Sequence, residues 1–188
     1  LHGTKHSFPT RRSSDRGDGH KLLAPLPDGR SVVRAAAEAA VSSHIGPVIV
    51  VWGAVPLEAA LDGLPVDVVH HPGWAEGQAT TLAAGIAAAR RLGADTVVVG
   101  LGDQPGVTAH SWQAVAGAPP SPPIAAASYD GVLRTPVRLP DEVWAALPTV
   151  GDEGARVVIK ARPDLVQPVA VTGRPDDIDT TEDLERWN

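Results

Sequence analysis

The chain has 188 residues, a formal net charge of −6, 43% hydrophobic residues and only 4% aromatics. That length suits a single domain with a sizeable core, built here from Val, Ala and Leu, and the acidic balance argues against a nucleic-acid polymer or an anionic membrane as partner, though not against a single nucleotide at a local site. No cysteine is present, which excludes disulfides and thiolate metal centres, and no apolar run approaches the roughly 18 residues of a membrane span.

With no signal segment recognisable at the start, a soluble cytoplasmic protein is the expectation. Residues 1–15, LHGTKHSFPTRRSSD, lack apolar periodicity and are expected to be a non-native or disordered arm, with 16–188 as the one domain. Next comes RGDGHKLLAPLPDGR, where Gly17 and Gly19 flank Asp18 and permit a backbone that turns N–H groups towards an anion. Lys21 follows, one of three lysines among 16 basic residues, and a compact ammonium suits phosphate. The plainer alternative is a solvated turn.

SVVRAAAEAAVSS (31–43) predicts a helix capped by Ser31. PVIVVWGA reads as a strand, PLEAALDGL as a short helix opened by Pro56, and VDVVHH as another strand. Adjacent His70 and His71 would point to opposite faces and are poor candidates to chelate one ion. The loop 72–78 leads into a helix TTLAAGIAAARRLG beginning near Gly77, whose free N–H groups would face the carboxyl edge of the sheet.

TVVVGLGDQP (96–105) is the stretch on which the reading turns. Three valines bounded by turn residues predict a strand buried on both faces, ended by Asp103 and Pro105. Ligands of open α/β sheets sit beyond the carboxyl ends of strands, and a carboxylate there can hold a hard cation such as Mg²⁺. Asp103 could equally serve only the turn.

TAHSWQAVAGA then predicts a helix, and PIAAASYDGVLRTPVRLP a hairpin about Tyr129-Asp130-Gly131. Asp141 is expected to cap DEVWAALP, and Asp152 and Glu153 to open a helix in GDEGARVVIKARP. LVQPVAV reads as the last strand, and DIDTTEDL as the entry to a terminal helix capped by Asp179 or Thr180. Alternating strands and helices through residue 118 indicate a parallel α/β sheet, with an antiparallel excursion near 124–138. Asp103 and the pair Asp177/Asp179, each at a strand-to-helix junction, could grip one Mg²⁺ with Lys21 beside phosphates, which is equipment for nucleotidyl transfer.

The segments HKLLAPLPDG, PGWAEGQATTLAAGI, VVVGLGDQP, YDG…RTPVRLP, GDEGAR and DIDTTEDL resemble, in order and spacing, the MobA-like nucleotidyltransferases, most closely their molybdenum cofactor cytidylyltransferase branch. The resemblance implies a three-layer, Rossmann-like nucleotidyltransferase fold with a mostly parallel central sheet. It further implies that Asp103 ligates Mg²⁺ with Asp179 as second acid, ahead of Asp177, and that Lys21 meets the triphosphate and the attacking phosphate. Gly17, Gly19, Gly77, Gln78, Thr81 and Gly102 would bind nucleotide, and Asp152 and Arg156 would lie near the acceptor. The implied reaction joins an NTP, CTP ahead of GTP, to a molybdopterin-type phosphate and releases pyrophosphate, for delivery to a molybdenum hydroxylase.

Where the family has a buried first strand and a Gly-rich phosphate loop, this chain has SFPTRRSSD, which puts the cradle, the nucleotide choice and the activity of the chain as written in question. RTPVRLP also lacks the glycine usual there, so the acceptor stays open. Rival readings are a guanylyltransferase for molybdopterin or phospholactate, a sugar-phosphate nucleotidyltransferase, a glycosyltransferase using Asp177-Ile178-Asp179, and a non-catalytic cofactor escort.

Overall fold

A computed structural model describes residues 20–187. The arm 1–15 and the expected loop glycines Gly17 and Gly19 lie outside the described residues. The described residues form six strands and six α-helices in an α/β fold: α1 (Val32–Ser42), β1 (Val48–Trp52), β2 (Val66–His70), α2 (Gln78–Arg91), β3 (Thr96–Val99), α3 (Ala109–Ala116), β4 (Ile124–Tyr129), β5 (Val132–Pro140), α4 (Asp141–Trp144), α5 (Arg156–Ala161), β6 (Val166–Ala170) and α6 (Thr181–Arg186). None of these helices is long and apolar enough to cross a membrane.

Several elements follow from their sequence. Ser31 accepts from the Arg34 N–H and opens α1, whose alanine-rich face is buried. Thr108 caps α3 in the same way, and Thr180 forms a capping box with Asp183 at α6. The β4–β5 hairpin turns at Asp130 (φ 50°) and Gly131 (φ 83°), two left-handed residues whose backbone matches the strand twist.

Three local expectations are corrected. Residues 56–64 make a single turn rather than a helix, with the Leu61 N–H bonded to Leu57 O at 3.1 Å. One turn already buries Leu57 and Leu61, and Gly63 at φ 79° ends it before a costly nucleus can propagate. Asp141 is the first residue of α4 and makes no cap hydrogen bond, because Pro140 occupies the cap. Asp152 and Glu153 sit in a turn ahead of α5, which begins at Arg156.

The strands pair in two groups. β1 and β2 are parallel, while the other four run β3-β5-β4-β6, with β3–β5 and β5–β4 antiparallel and β4–β6 parallel. One face of the larger sheet places Ile124, Ala126, Val137 and Leu139 against α2, α4 and α5, the second core layer being built by Ala125, Ala127 and Tyr129 with Val115 of α3. Helices on both faces make the three layers.

Helix α2 bridges the two sheets. Gly85 lies against Val51 of β1, where an added Cβ would stand 3.4 Å away, and Ile86 joins the core that Val97 and Val99 of β3 pack against. β3 was expected to be buried on both faces; its valines are half-buried and Thr96 is exposed, with β5 as its one strand neighbour among the described residues.

Strand β5 carries an irregularity that bears on the site. Ala126 pairs with Val137 but Ala127 with Arg134, so Thr135 and Pro136 have no partner on β4. Proline cannot donate to a ladder, and a bulge is where a strand interior accepts one. Thr135, in this unpaired stretch, donates its hydroxyl to Gln104 Oε1.

Candidate active site

Lys21 lies in a short 3-10 turn, Lys21–Leu23, whose cap is His20. Its ammonium contacts Asp103 Oδ2 at 2.7 Å and Asp179 Oδ1 at 2.5 Å, spanning 82 and 158 positions of chain. Asp103 stands in the connection from β3 to α3, and Asp179 just ahead of the Thr180 cap of α6. The three are held together by backbone as well: the Ile178 N–H donates to Asp103 O at 2.9 Å, and the Ile178 side chain is buried against Leu26, Val32 and Ala35.

The electrostatics follow the geometry. Burial works to lower the Lys21 pKa, but the hydrogen bonds and charges of Asp103 and Asp179 outweigh it and hold the ammonium above its ordinary value. His20 is lowered, first by burial and then by the Lys21 charge. Asp177 is raised, chiefly by burial, with the Asp103 and Asp179 charges adding to it against a hydrogen bond from Gln104.

Asp103 and Asp179 thus converge on one cation, while Asp177 does not turn to the same point. Its carboxylate accepts from Gln104 Nε2 at 2.7 Å. Among the described residues no group of three or more His, Asp and Glu side chains is arranged to hold a metal. Two carboxylates are nevertheless an ordinary protein share for Mg²⁺, which takes its remaining ligands from water and phosphates. Two observations fit such an ion: Asp103 Oδ1 is buried without a hydrogen-bond partner, and the Lys21 ammonium already occupies a position between the two acids.

A second group forms around the start of α2. Gly77 caps the helix at φ 113°, and an added Cβ would stand 2.5 Å from Gly151 O and 2.8 Å from Asp152 Oδ1. The Ala79 N–H donates to Gly151 O at 2.9 Å, and Gln78 Oε1 would lie 3.3 Å from a Cβ on Gly154. Only glycine allows this approach, so the GDEGAR turn sits directly on the helix that carries Gly77, Gln78 and Thr81. The residues expected at the nucleotide and Asp152, expected at the acceptor, are therefore neighbours.

Arg156, first in α5, is exposed, as is Gly102, which lies against Val33 and Leu22. Thr80, rather than Thr81, makes the local hydrogen bonds, to Gly73 O, Gly77 O and His71 Nε2. His70 instead stacks on Trp52 with ring centroids 4.2 Å apart, so the two histidines serve different neighbours, as alternation in a strand requires. The residue that sequence reasoning missed is Gln104. Its signal was its place beside Asp103, but a polar residue after a strand carries no mark of what it will reach.

The pattern of the MobA-like NTP transferase domain matches residues 12–169. Among solved structures, Rv0371c of Mycobacterium tuberculosis H37Rv, crystallised with manganese, is 25% identical, with a TM-score of 0.77 over 89% of this chain and 90% of that one. A nucleotidyl transferase of Methanothermobacter is 23% identical, with a TM-score of 0.71 over 89% and 83% of the two chains. A CMP:2-keto-3-deoxy-manno-octonic acid synthetase complexed with CTP, at 11% identity and a TM-score of 0.65 over 88% and 89%, shares the fold. None of the curated proteins matches.

Proposed function

The chain belongs to the MobA-like NTP transferase domain family, and from that membership we propose that it is a divalent-cation-dependent nucleotidyltransferase that joins CTP to a molybdopterin-type phosphate and releases pyrophosphate. The observation that carries the reading is the convergence of Lys21, Asp103 and Asp179 on one point beyond β3. A manganese complex of Rv0371c, 25% identical, supports a divalent cation in this fold. CTP and the molybdopterin-type acceptor rest on the resemblance of the six segments, among them LGDQP, GDEGAR and DIDTTEDL, to the cytidylyltransferase branch.

Asp103 and Asp179 would hold the ion. When bound, Mg²⁺ supplies charge stabilisation for the transferring phosphoryl group. The chain does the positioning. Lys21 would set its ammonium beside the triphosphate and lower the repulsion that an incoming phosphate feels. The first turn of α2 is tied to the GDEGAR turn, the Ala79 N–H donating to Gly151 O, and Gly77 keeps the two segments close beside the nucleotide. Gln78 and Thr81 line the nucleotide side, while Asp152, on the turn that packs there, and Arg156, at the start of α5, orient the acceptor. With both substrates fixed in line, phosphoryl chemistry asks for little covalent help from the protein. A cytoplasmic site of action suits these substrates, and a molybdenum hydroxylase would receive the product.

The test is pyrophosphate release with Mg²⁺, each NTP in turn and a molybdopterin-type acceptor. It is run on the chain as written and on one carrying an apolar strand and Gly-rich loop ahead of residue 16. CTP-dependent release that Asp103→Asn reduces by about 100-fold or more is expected, as for loss of a main electrostatic contributor. Release that Asp103→Asn leaves intact refutes the assignment, and release with GTP instead identifies a guanylyltransferase.

A further inference from the structure

Gln104 is among the few buried polar residues described, only 3% exposed, and every polar atom of its side chain is used. Nε2 donates to Pro175 O at 3.0 Å and to Asp177 Oδ1 at 2.7 Å. Oε1 accepts from the Thr135 hydroxyl, which reaches it from the β5 bulge. One side chain thereby joins the connection after β3, the irregular part of β5 and the segment leading to α6.

That segment brings two acids, Asp177 and Asp179, to either side of the buried Ile178. The Ile178 N–H donates to Asp103 O at 2.9 Å, so three carboxylates stand where this segment meets the connection after β3. Only two of them reach Lys21. The third is the one that Gln104 holds.

We propose that Gln104 is a positioning residue that selects the metal-binding pair: by tying Asp177 down it withdraws that carboxylate and leaves Asp103 and Asp179 to grip the cation. This rests on the reading of Asp103 and Asp179 as cation ligands. A primary amide is the side chain suited to the task, because it donates twice and accepts at once. A carboxylate in its place would face the Asp177 carboxylate, and an apolar side chain of similar volume would set Asp177 loose.

The selection is tested by Mn²⁺ titration without nucleotide, following free Mn²⁺ by electron paramagnetic resonance in a double-mutant cycle. In the otherwise unaltered chain, Asp177→Asn should change Mn²⁺ affinity by less than about threefold, whereas Asp179→Asn should cost at least about tenfold. In a Gln104→Met background, where Asp177 is free to join the ion, Asp177→Asn should cost about tenfold. A purely structural Gln104 would lower thermal stability without creating that dependence on Asp177. Should Gln104→Met fail to fold, Thr135→Val supplies the background, loosening Gln104 from its other end, and a smaller coupling of the same sign is expected.

Equal effects of Asp177→Asn in both backgrounds overturn the proposal, as does a loss in the unaltered chain matching that of Asp179→Asn. Absence of Mn²⁺ binding to the unaltered chain overturns both the proposal and the metal reading beneath it. Mn²⁺ bound with the expected coupling, but without nucleotidyl transfer, upholds the selection by Gln104 and removes only the proposed reaction.

Discussion

Strand β1, VIVVW, and strand β4, IAAASY, are both short apolar runs, yet all five residues of β1 stay half-buried while five of six in β4 are buried. β4 lies between β5 and β6 and has a packed core on each face. β1 has β2 on one side and, among the described residues, no strand on the other. An apolar run specifies that a strand wants company on its faces. It does not specify whether both edges will be paired, and an open edge leaves side chains and backbone accessible along the whole run.

This contrast predicts an ordered series of stabilities in urea unfolding. Leu139→Ala, at a site with no exposure in the four-stranded sheet, should cost about 2–5 kcal/mol through lost burial and the cavity left behind. Arg138→Met comes next. Among the described residues the buried guanidinium meets no carboxylate and donates to the carbonyls of Ala116, Ala118, Pro119 and Pro123 around the end of α3. Leaving those carbonyls unpaired should cost about 1–3 kcal/mol, softened because the charge goes too.

Val50→Ala in β1 should cost only about 1 kcal/mol, since its two lost carbons were never fully removed from water. Amide hydrogen exchange should agree, with β1 and β2 opening more readily than β4 and β5. A cost at Val50 equal to that at Leu139 would show that β1 is as tightly packed as β4 and dissolve the comparison.

The smallest effect is on pH dependence. Burial in the four-stranded sheet raises the Tyr129 phenol above its ordinary value of 10.0. A raised folded-state pKa gives stability that is fully present below the unfolded value and lost as pH rises through the folded one. Stability should therefore decline above about pH 10, and Tyr129→Phe should flatten that part of the profile.

Much of the fold was legible in the residues. Alanine-rich periodicity and Ser31 marked α1, Asp130-Gly131 marked the hairpin, and Thr180 with Asp183 marked α6, because caps and tight turns depend on a few adjacent side chains. The same local rules failed at 56–64, where burial of Leu57 and Leu61 was met by one turn, and at Asp141, where Pro140 held the cap. Lys21, Asp103 and Asp179, which the structure brings into contact, were each marked in the sequence by their setting, a basic residue after glycines and acids at strand ends.

Tertiary structure alone decided three things. It placed one ammonium between acids 82 and 158 positions away, turned Asp177 aside onto Gln104, and, among the described residues, left β1 and β3 in separate sheets. Sequence pattern reports what a residue prefers among its near neighbours. Which distant partner completes a hydrogen bond, and which strand edge stays open, is set only when every layer has packed at once.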